Sequence, residues 1–337
     1  MRHFYNLSDV HDDVINEILT LSNRLRFYPE PQALQGKVLA LLFLSPSLRT
    51  LSSLQAAMTR MGGGTFLVSP DRTSHGLESE EGVVMDGRAA EHIRDALPVI
   101  DSYGDAVGIR AFATRRNLEN DLADKTYKSM ASLIRKPLIN LESAIQHPCQ
   151  SLADWKTLDD LGLPKERCKI VITWAYHPRP LPLAGPLAAI EMAAMRGMDI
   201  SVLRPEGFSL PATIVSDVSA IASQRGGSLV ETSDRRQAME GAQVVYVREW
   251  SSTSVYGDRP QEEKLRADLA DWCVDEPWFA NTKKDCRVMH AMPVRRGVAI
   301  SDKVLDGPRS VLTQQAANRM WTQMGLLHHM LRSGPPL

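Results

Sequence analysis

The segment Ser45-Pro46-Ser47-Leu48-Arg49-Thr50 sets hydroxyls and a guanidinium directly after the apolar run Val38-Leu39-Ala40-Leu41-Leu42-Phe43-Leu44. A helix starting here would aim unpaired N–H groups and the positive end of its dipole at one spot, which favours an anion. Arg49 adds a planar fork that matches phosphate oxygens. The chemistry is phosphate holding, although Ser47 and Thr50 could equally serve as simple helix caps. Neither GxxxxGK[ST] nor a GxGxxG after a strand occurs in the chain, so nucleotide-dependent phosphoryl transfer and hydride transfer lose their usual support. Further groups follow other apolar runs: Arg110 in Gly108-Ile109-Arg110-Ala111-Phe112, His147-Pro148-Cys149-Gln150 beyond Glu142, and His290-Ala291-Met292-Pro293. Open α/β sheets collect ligands outside the carboxyl ends of their strands. Arg, His and Gln at such ends could converge on a small anionic substrate bearing a carbonyl. Singly, His147 could be a satisfied loop histidine and Arg110 a surface ion-pair partner.

These residues need a parallel sheet to bring them together, and the pattern supplies one. The run 38–44 is continuous and apolar, as in a strand buried on both faces. A helix over Thr50–Met61 follows and ends at Gly62-Gly63-Gly64. Thr65–Val68, Ala106–Ile109 and Pro137–Leu141 read as further strands, with a helix over about 91–102. After a helix over about 150–161 come Lys169–Trp174, Asp199–Leu203, Ser228–Glu231, Val244–Val247 and Arg287–His290. A helix over 183–196 and a final amphipathic helix over about 314–331 complete the series. The fold expected is α/β with two domains, each a mostly parallel sheet flanked by helices. The first domain spans 1–150 with the C-terminal helix from about 314 to 337, and the second spans 151–313. His177-Pro178-Arg179-Pro180-Leu181-Pro182 is a stiff, extended loop directly after a strand.

The length of 337 residues suits two such domains, and 43% hydrophobic with 23% charged residues is a globular composition. A formal net charge of −1 gives no electrostatic case for nucleic acid or an anionic membrane. Cys149, Cys168, Cys273 and Cys286 contain no CxxC pair, which suits free thiols in a reducing compartment. The first ten residues carry charged and polar groups where a signal peptide would have an apolar core, and no apolar stretch is long enough to span a bilayer. A cytoplasmic protein is expected.

Ser47-x-Arg49-Thr50, Arg110 in its GxRxF context, His147-Pro148-x-Gln150 and His290-x-x-Pro293, in this order, resemble the aspartate/ornithine carbamoyltransferase superfamily. Met85-Asp86-Gly87 followed by Glu91-His92, the segment 173–181, and Ala317-Asn318-Arg319 resemble its N-acetylornithine and N-succinylornithine branch. The resemblance implies a first domain that binds carbamoyl phosphate and a second that binds the amine acceptor. It implies a homotrimer with active sites shared between subunits and a knot at the Pro-rich loop, which sequence physics would not propose. By resemblance Ser47, Leu48, Arg49, Thr50, Arg110 and Arg319 surround the phosphate, with His75, Ala291 and Met292 completing the carbamoyl phosphate site. Arg49, Thr50, Arg110, His147 and Gln150 form the catalytic set: Thr50, Arg110 and His147 on the carbamoyl oxygen, Gln150 on the NH₂ group. Glu142, Arg248, Met292, Ala90 and Arg179 fall to the acceptor. No metal or other cofactor is expected; the partners are small-molecule substrates, without nucleic acid or membrane.

The chain departs from the branch pattern at several of these positions. Leu51 replaces the second Arg of SxRTR, His75 a Trp, Arg248 a Lys, and Ala291-Met292 the Cys-Leu of HCLP. The Asp-Glu-Ala-Glu-Asn pattern reads Gln314-Gln315-Ala316-Ala317-Asn318. Ala90 stands where acetylornithine enzymes have Glu and succinylornithine enzymes Pro, and Ala299 where acetyl-type enzymes can carry Lys. Ala90 neither repels a succinyl carboxylate nor fills its space, which leans toward a succinyl acceptor. Arg88 or Arg179 could pair with that carboxylate. A different amine acceptor, and a catalytically silent carbamoyl-phosphate-binding protein, both stay open at this point.

Overall fold

The apolar runs become strands, and the central ones of each sheet are buried on both faces. In the computed structural model, which describes residues 1–70 and 75–332, the strands are β1 His3–Phe4, β2 Val38–Phe43, β3 Gly64–Val68, β4 Leu77–Glu78, β5 Glu91–His92, β6 Ala106–Arg110 and β7 Leu138–Glu142. There follow β8 Lys169–Trp174, β9 Asp199–Leu203, β10 Ser228–Thr232, β11 Val244–Arg248 and β12 Arg287–Met289. The chain divides into two compact units, each with its own sheet.

The first unit comprises the described residues of Met1–Thr114, Glu119–Cys149 and the segment from Arg319. Its sheet runs β1-β7-β6-β2-β3 with every neighbouring pair parallel. Parallel neighbours need crossovers, and helices such as Leu48–Arg60 and Ile93–Tyr103 supply them. Ala40, Leu42, Val107 and Ile109 of the central strands pack with Ile93, Leu97 and Ile100 in one cluster. The C-terminal helix Leu312–Leu331 carries Gly325, where an added Cβ would collide with the carbonyl of Ile18 and with Ser22. That close approach fixes the segment from Arg319 against the helix Asp12–Phe27.

The second unit comprises Arg115–Leu118 and Gln150–Asn318, with the wholly parallel order β10-β9-β8-β11-β12. The helix Ala184–Met195 is buried on all sides, which explains its nearly unbroken apolar sequence. The α/β reading of two parallel-sheet domains therefore describes the molecule. Local boundaries change: the helix expected from Thr50 begins at Leu48, and the strand expected over 287–290 ends at Met289. The helix placed over about 91–102 begins at Ile93, because Glu91–His92 pairs with Leu77–Glu78 as β5. His92 then caps the helix, its Nδ1 accepting from Arg94 N at 3.1 Å. The helix Asp12–Phe27 and the helix Ala212–Gln224 add to those expected from the sequence. No helix among the described residues is long and apolar enough to cross a membrane.

Candidate active site

In the first unit the site is built on the carboxyl ends of the neighbouring strands β2, β6 and β7. The chain leaves β2 and turns into the helix Leu48–Arg60 at Ser47, whose extended backbone and hydroxyl make it the N-cap. Ser47 Oγ accepts from Thr50 N at 3.3 Å and lies 3.0 Å from Thr50 Oγ1. Arg319 Nη2 donates to Thr50 Oγ1 at 2.9 Å, so a side chain from the last helix reaches the start of this one. Thr50 and Arg319 are buried, Arg49 is half-buried, and Leu48 projects outward at 76% exposure. A guanidinium, a helix N-terminus and hydroxyls thus gather around the cap, a setting that attracts an oxyanion.

Arg110 ends β6, where the pairing with β7 shifts register between Ile109 and Arg110. The shift brings Arg110 opposite Glu142. Arg110 Nη1 donates to Glu142 Oε2, and the guanidinium lies 4.4 Å from the Phe112 ring centroid. His147 Nε2 is 3.2 Å from the same carboxylate oxygen. All three polar residues are buried. Arg110 Nε is buried without a hydrogen-bond partner among the described residues, a donor that a ligand oxygen would satisfy. Glu142, read from the sequence as an acceptor contact, ties Arg110 and His147 together through one carboxylate oxygen. Cys149 nearby is no nucleophile: burial pushes its thiol up to about 11 against a smaller downward pull from Arg319.

In the second unit Gln150 Nε2 donates to Asp154 Oδ1 at 2.8 Å. Asp154 also receives Gln315 Nε2 at 2.7 Å and the Tyr246 hydroxyl at 2.8 Å. Gln315 Oε1 accepts from His290 N at 2.9 Å, tying this cluster to the His290-Ala291-Met292 turn. Arg248 Nη1 donates to Ala291 O at 2.8 Å and lies 3.7 Å from Glu249. A Cβ on Gly185 would collide with the Arg248 guanidinium as it is placed here, so the two pack directly against each other. Glu249, buried, faces His290 Nε2 at 3.3 Å; burial pushes its carboxyl up, but His290 and Arg248 outweigh that and hold it at about 2. His177 Nε2 accepts from Arg295 Nε at 2.8 Å, which leaves Nδ1–H to donate to Arg179 O at 2.7 Å. Burial lowers the pKa of His177, in keeping with a neutral ring.

The remaining candidates lie on loops. His75 and Ala90 are exposed, with Ala90 N donating to Gly76 O at 3.1 Å ahead of β5. Arg179 is exposed in the Pro-rich loop, and Met292 is half-buried after the buried Ala291. The preceding residues 71–74, which include Ser74 of the Ser74-His75-Gly76 segment, lie outside the described residues. Sequence reasoning missed Asp154, Tyr246, Gly185 and Arg295. Only Asp154 carried a signal: it lies one helical turn after Gln150, the spacing at which side chains meet.

Comparison with known proteins agrees with this architecture. The family model for the carbamoyl-P binding domain of aspartate/ornithine carbamoyltransferase matches residues 2–160, and that for its Asp/Orn binding domain matches 188–330. N-acetylornithine carbamoyltransferase of Xanthomonas campestris is 32% identical over 339 residues, covering 100% of this chain and 99% of that protein. N-succinylornithine carbamoyltransferase of Bacteroides fragilis is 33% identical over 301 residues, 89% of each chain. A crystal structure of acetylornithine transcarbamylase complexed with acetylcitrulline superposes with a TM-score of 0.93 at 31% identity, covering 99% of this chain and 100% of that one. A glutamate-to-alanine variant of N-acetyl-L-ornithine transcarbamylase, complexed with carbamyl phosphate and N-succinyl-L-norvaline, matches equally well: TM-score 0.93, 32% identity, 98% and 100% coverage.

The chain belongs to the aspartate/ornithine carbamoyltransferase family and is an enzyme that transfers carbamoyl groups. Within that family it falls in the branch of the N-acylornithine carbamoyltransferases.

Proposed function

We propose that this enzyme carries the carbamoyl group of carbamoyl phosphate to the side-chain amine of an N-acylated L-ornithine, N-succinyl ahead of N-acetyl, giving N-acylcitrulline and phosphate in arginine biosynthesis. The observation that carries the reading is the grouping, at adjacent strand ends of the first unit, of the Ser47–Thr50–Arg319 cap with the Arg110–Glu142–His147 cluster.

In this reading Ser47, Leu48, Arg49, Thr50, Arg110 and Arg319 hold the phosphate, with His75, Ala291 and Met292 completing the site. Thr50, Arg110 and His147 donate toward the carbamoyl oxygen, and Gln150 holds the carbamoyl NH₂. The neutral amine attacks the carbonyl carbon; an N–C bond forms, the C–O bond to phosphate breaks, and the departing phosphate takes the amine's proton. Negative charge builds on the carbonyl oxygen, where donors stabilise it, and alignment of the two substrates supplies much of the remaining acceleration. A lysine-like amine has a free pKa of about 10.4, so it must react as the neutral base. His147, close to Glu142, serves as a donor rather than the base.

Glu142, Arg248, Met292, Ala90 and Arg179 face the acceptor. Ala90 supports the succinyl preference, since an alanine leaves room and charge freedom for a second carboxylate. The glutamate-to-alanine variant of the acetyl enzyme that is bound to N-succinyl-L-norvaline points the same way. We also assign a homotrimer with shared active sites, a cytoplasmic location, and a knot at 178–182. Leu181 O accepts from both Ser251 N at 2.9 Å and Ser251 Oγ at 2.6 Å, which stitches that loop to the chain after β11.

A second reading, a different amine acceptor, is favoured by one feature: Arg248 has its own glycine niche and already holds Ala291 O. Incubation with carbamoyl phosphate and a panel of amines, following phosphate and ureido product together, separates the two. Product from N-succinylornithine above N-acetylornithine supports the first. Product only with an unrelated amine establishes the second, and tight carbamoyl phosphate binding without turnover on any amine rejects both.

A further inference from the structure

The cluster around Asp154 has a polarity that can be read from one fixed point. The backbone N–H of His290 can only donate, so the Gln315 atom 2.9 Å from it is the amide oxygen. The Gln315 NH₂ group is thereby turned to Asp154 Oδ1 at 2.7 Å, which makes Oδ1 an acceptor. Gln150 meets the same oxygen at 2.8 Å and must present its own NH₂ there. Its carbonyl oxygen is consequently the end turned away from Asp154. Tyr246 donates to Oδ2 at 2.8 Å and stays protonated, since burial and then Asp154 push its hydroxyl well above the ordinary tyrosine value. Asp154, Gln315, Tyr246 and His290 are all buried to 1% exposure or less, so water does not readily exchange with these bonds.

We propose that Asp154 is a positioning residue that fixes the orientation of the Gln150 amide, holding its oxygen outward as an acceptor for the carbamoyl NH₂, and that Gln315 registers this orientation to the His290-Ala291 backbone. The proposal rests on the assignment of Gln150 to the carbamoyl group made above. It explains the residue types. A carboxylate at 154 offers acceptors only, so both neighbouring amides must turn NH₂ toward it. An asparagine there would present a donor to one neighbour and allow Gln150 to flip. A glutamine at 315 can both accept from His290 N and donate to Asp154, whereas a glutamate would set two carboxyl groups against each other.

The test is a double-mutant cycle on full-length protein between Asp154→Asn and Gln150→Ala, read as affinity for carbamoyl phosphate and for inorganic phosphate by calorimetry, with no acceptor present. The expected result is a fivefold or greater loss of carbamoyl phosphate affinity in Asp154→Asn, with phosphate affinity within twofold of the parent. In the Gln150→Ala background the same substitution should cost less than twofold, because its route of action is gone. Additive losses, equal losses for both ligands, or no loss would each overturn the proposal. If Asp154→Asn does not fold, Tyr246→Phe deletes only one hydroxyl and replaces it in the cycle: a selective loss that vanishes with Gln150→Ala supports the proposal, and any other result overturns it. Failure of the functional reading is seen separately. A parent that binds carbamoyl phosphate but transfers to no acylornithine leaves the cycle readable, and a parent that does not bind it rejects both.

Discussion

On the proposed reading, selectivity between acyl groups comes down to what Ala90 contributes near the acceptor. Ala90 is exposed, just ahead of β5, and bears neither charge nor bulk. Ala90→Glu should therefore lower turnover with N-succinylornithine more than with N-acetylornithine, since only the former carries a carboxylate for glutamate to repel. Paired kcat/KM measurements on the two substrates check this, and equal losses would place Ala90 away from the acyl group. A related single-residue dependence lies in the second unit. Glu249 is held at about 2 by buried contact with His290 and Arg248, against an ordinary value of 4.5. The lowered value means that this carboxylate stabilises the fold above about pH 4.5, and the contribution disappears as pH falls from there toward 2. A gap of this size corresponds to about 3 kcal/mol. Glu249→Gln should thus lower the urea midpoint at pH 6 and flatten its fall between pH 4.5 and the lowest pH at which the protein folds. An unchanged slope would show that the pairing contributes little.

Elements bring these side chains into range, and the fit between elements sets which substitutions are tolerated. The helix Ala184–Met195 passes so close to β11 that Gly185 faces the Arg248 guanidinium. Gly185→Ala should cost about 1–3 kcal/mol, the usual range for overpacking, read as a lower denaturation midpoint. The double variant with Arg248→Lys should recover most of that, because a narrow ammonium replaces the planar fork. Failure of the lysine to rescue would locate the strain elsewhere. Much of this scaffold was legible beforehand. Buried parallel strands are nearly continuous apolar runs, so β2, β8 and β11 stand out, and so do the chemical groups that follow strand ends. Asp12–Phe27 and Ala212–Gln224 did not stand out, because exposed polar residues interrupt their apolar positions. Asp154 and Tyr246 were hidden for a different reason: a lone Asp in a helix reads as solvated, and a Tyr in a strand reads as core. Their roles come from what the second unit folds around them, which residue type and spacing do not encode.

At the scale of the whole molecule, a chain of two compact units raises the question of which unit a ligand stabilises. The cap at Ser47–Thr50, Arg319 and the Arg110 cluster all lie in the first unit, while Gln150 belongs to the second. On the proposed assignment, inorganic phosphate, which lacks the carbamoyl group, draws on the first set alone. Binding to the folded state adds RT ln(1 + [L]/Kd), about 2.7 kcal/mol at a ligand concentration a hundred times Kd. At matched saturation, phosphate should raise the melting temperature of the unit carrying the cap, and carbamoyl phosphate should do at least as much. If calorimetry resolves two transitions, phosphate should move one and leave the other within a degree. Thr50→Val supplies the control. It removes the hydroxyl that accepts from Arg319 while keeping the side chain's shape, and losing a hydrogen bond to a charged group costs about 1.5–3 kcal/mol. In this variant both ligands should lose most of their stabilising shift at the parent's saturating concentration. A full shift in Thr50→Val would remove the cap from the ligand site altogether. A phosphate shift in both transitions would assign phosphate contacts to the second unit as well.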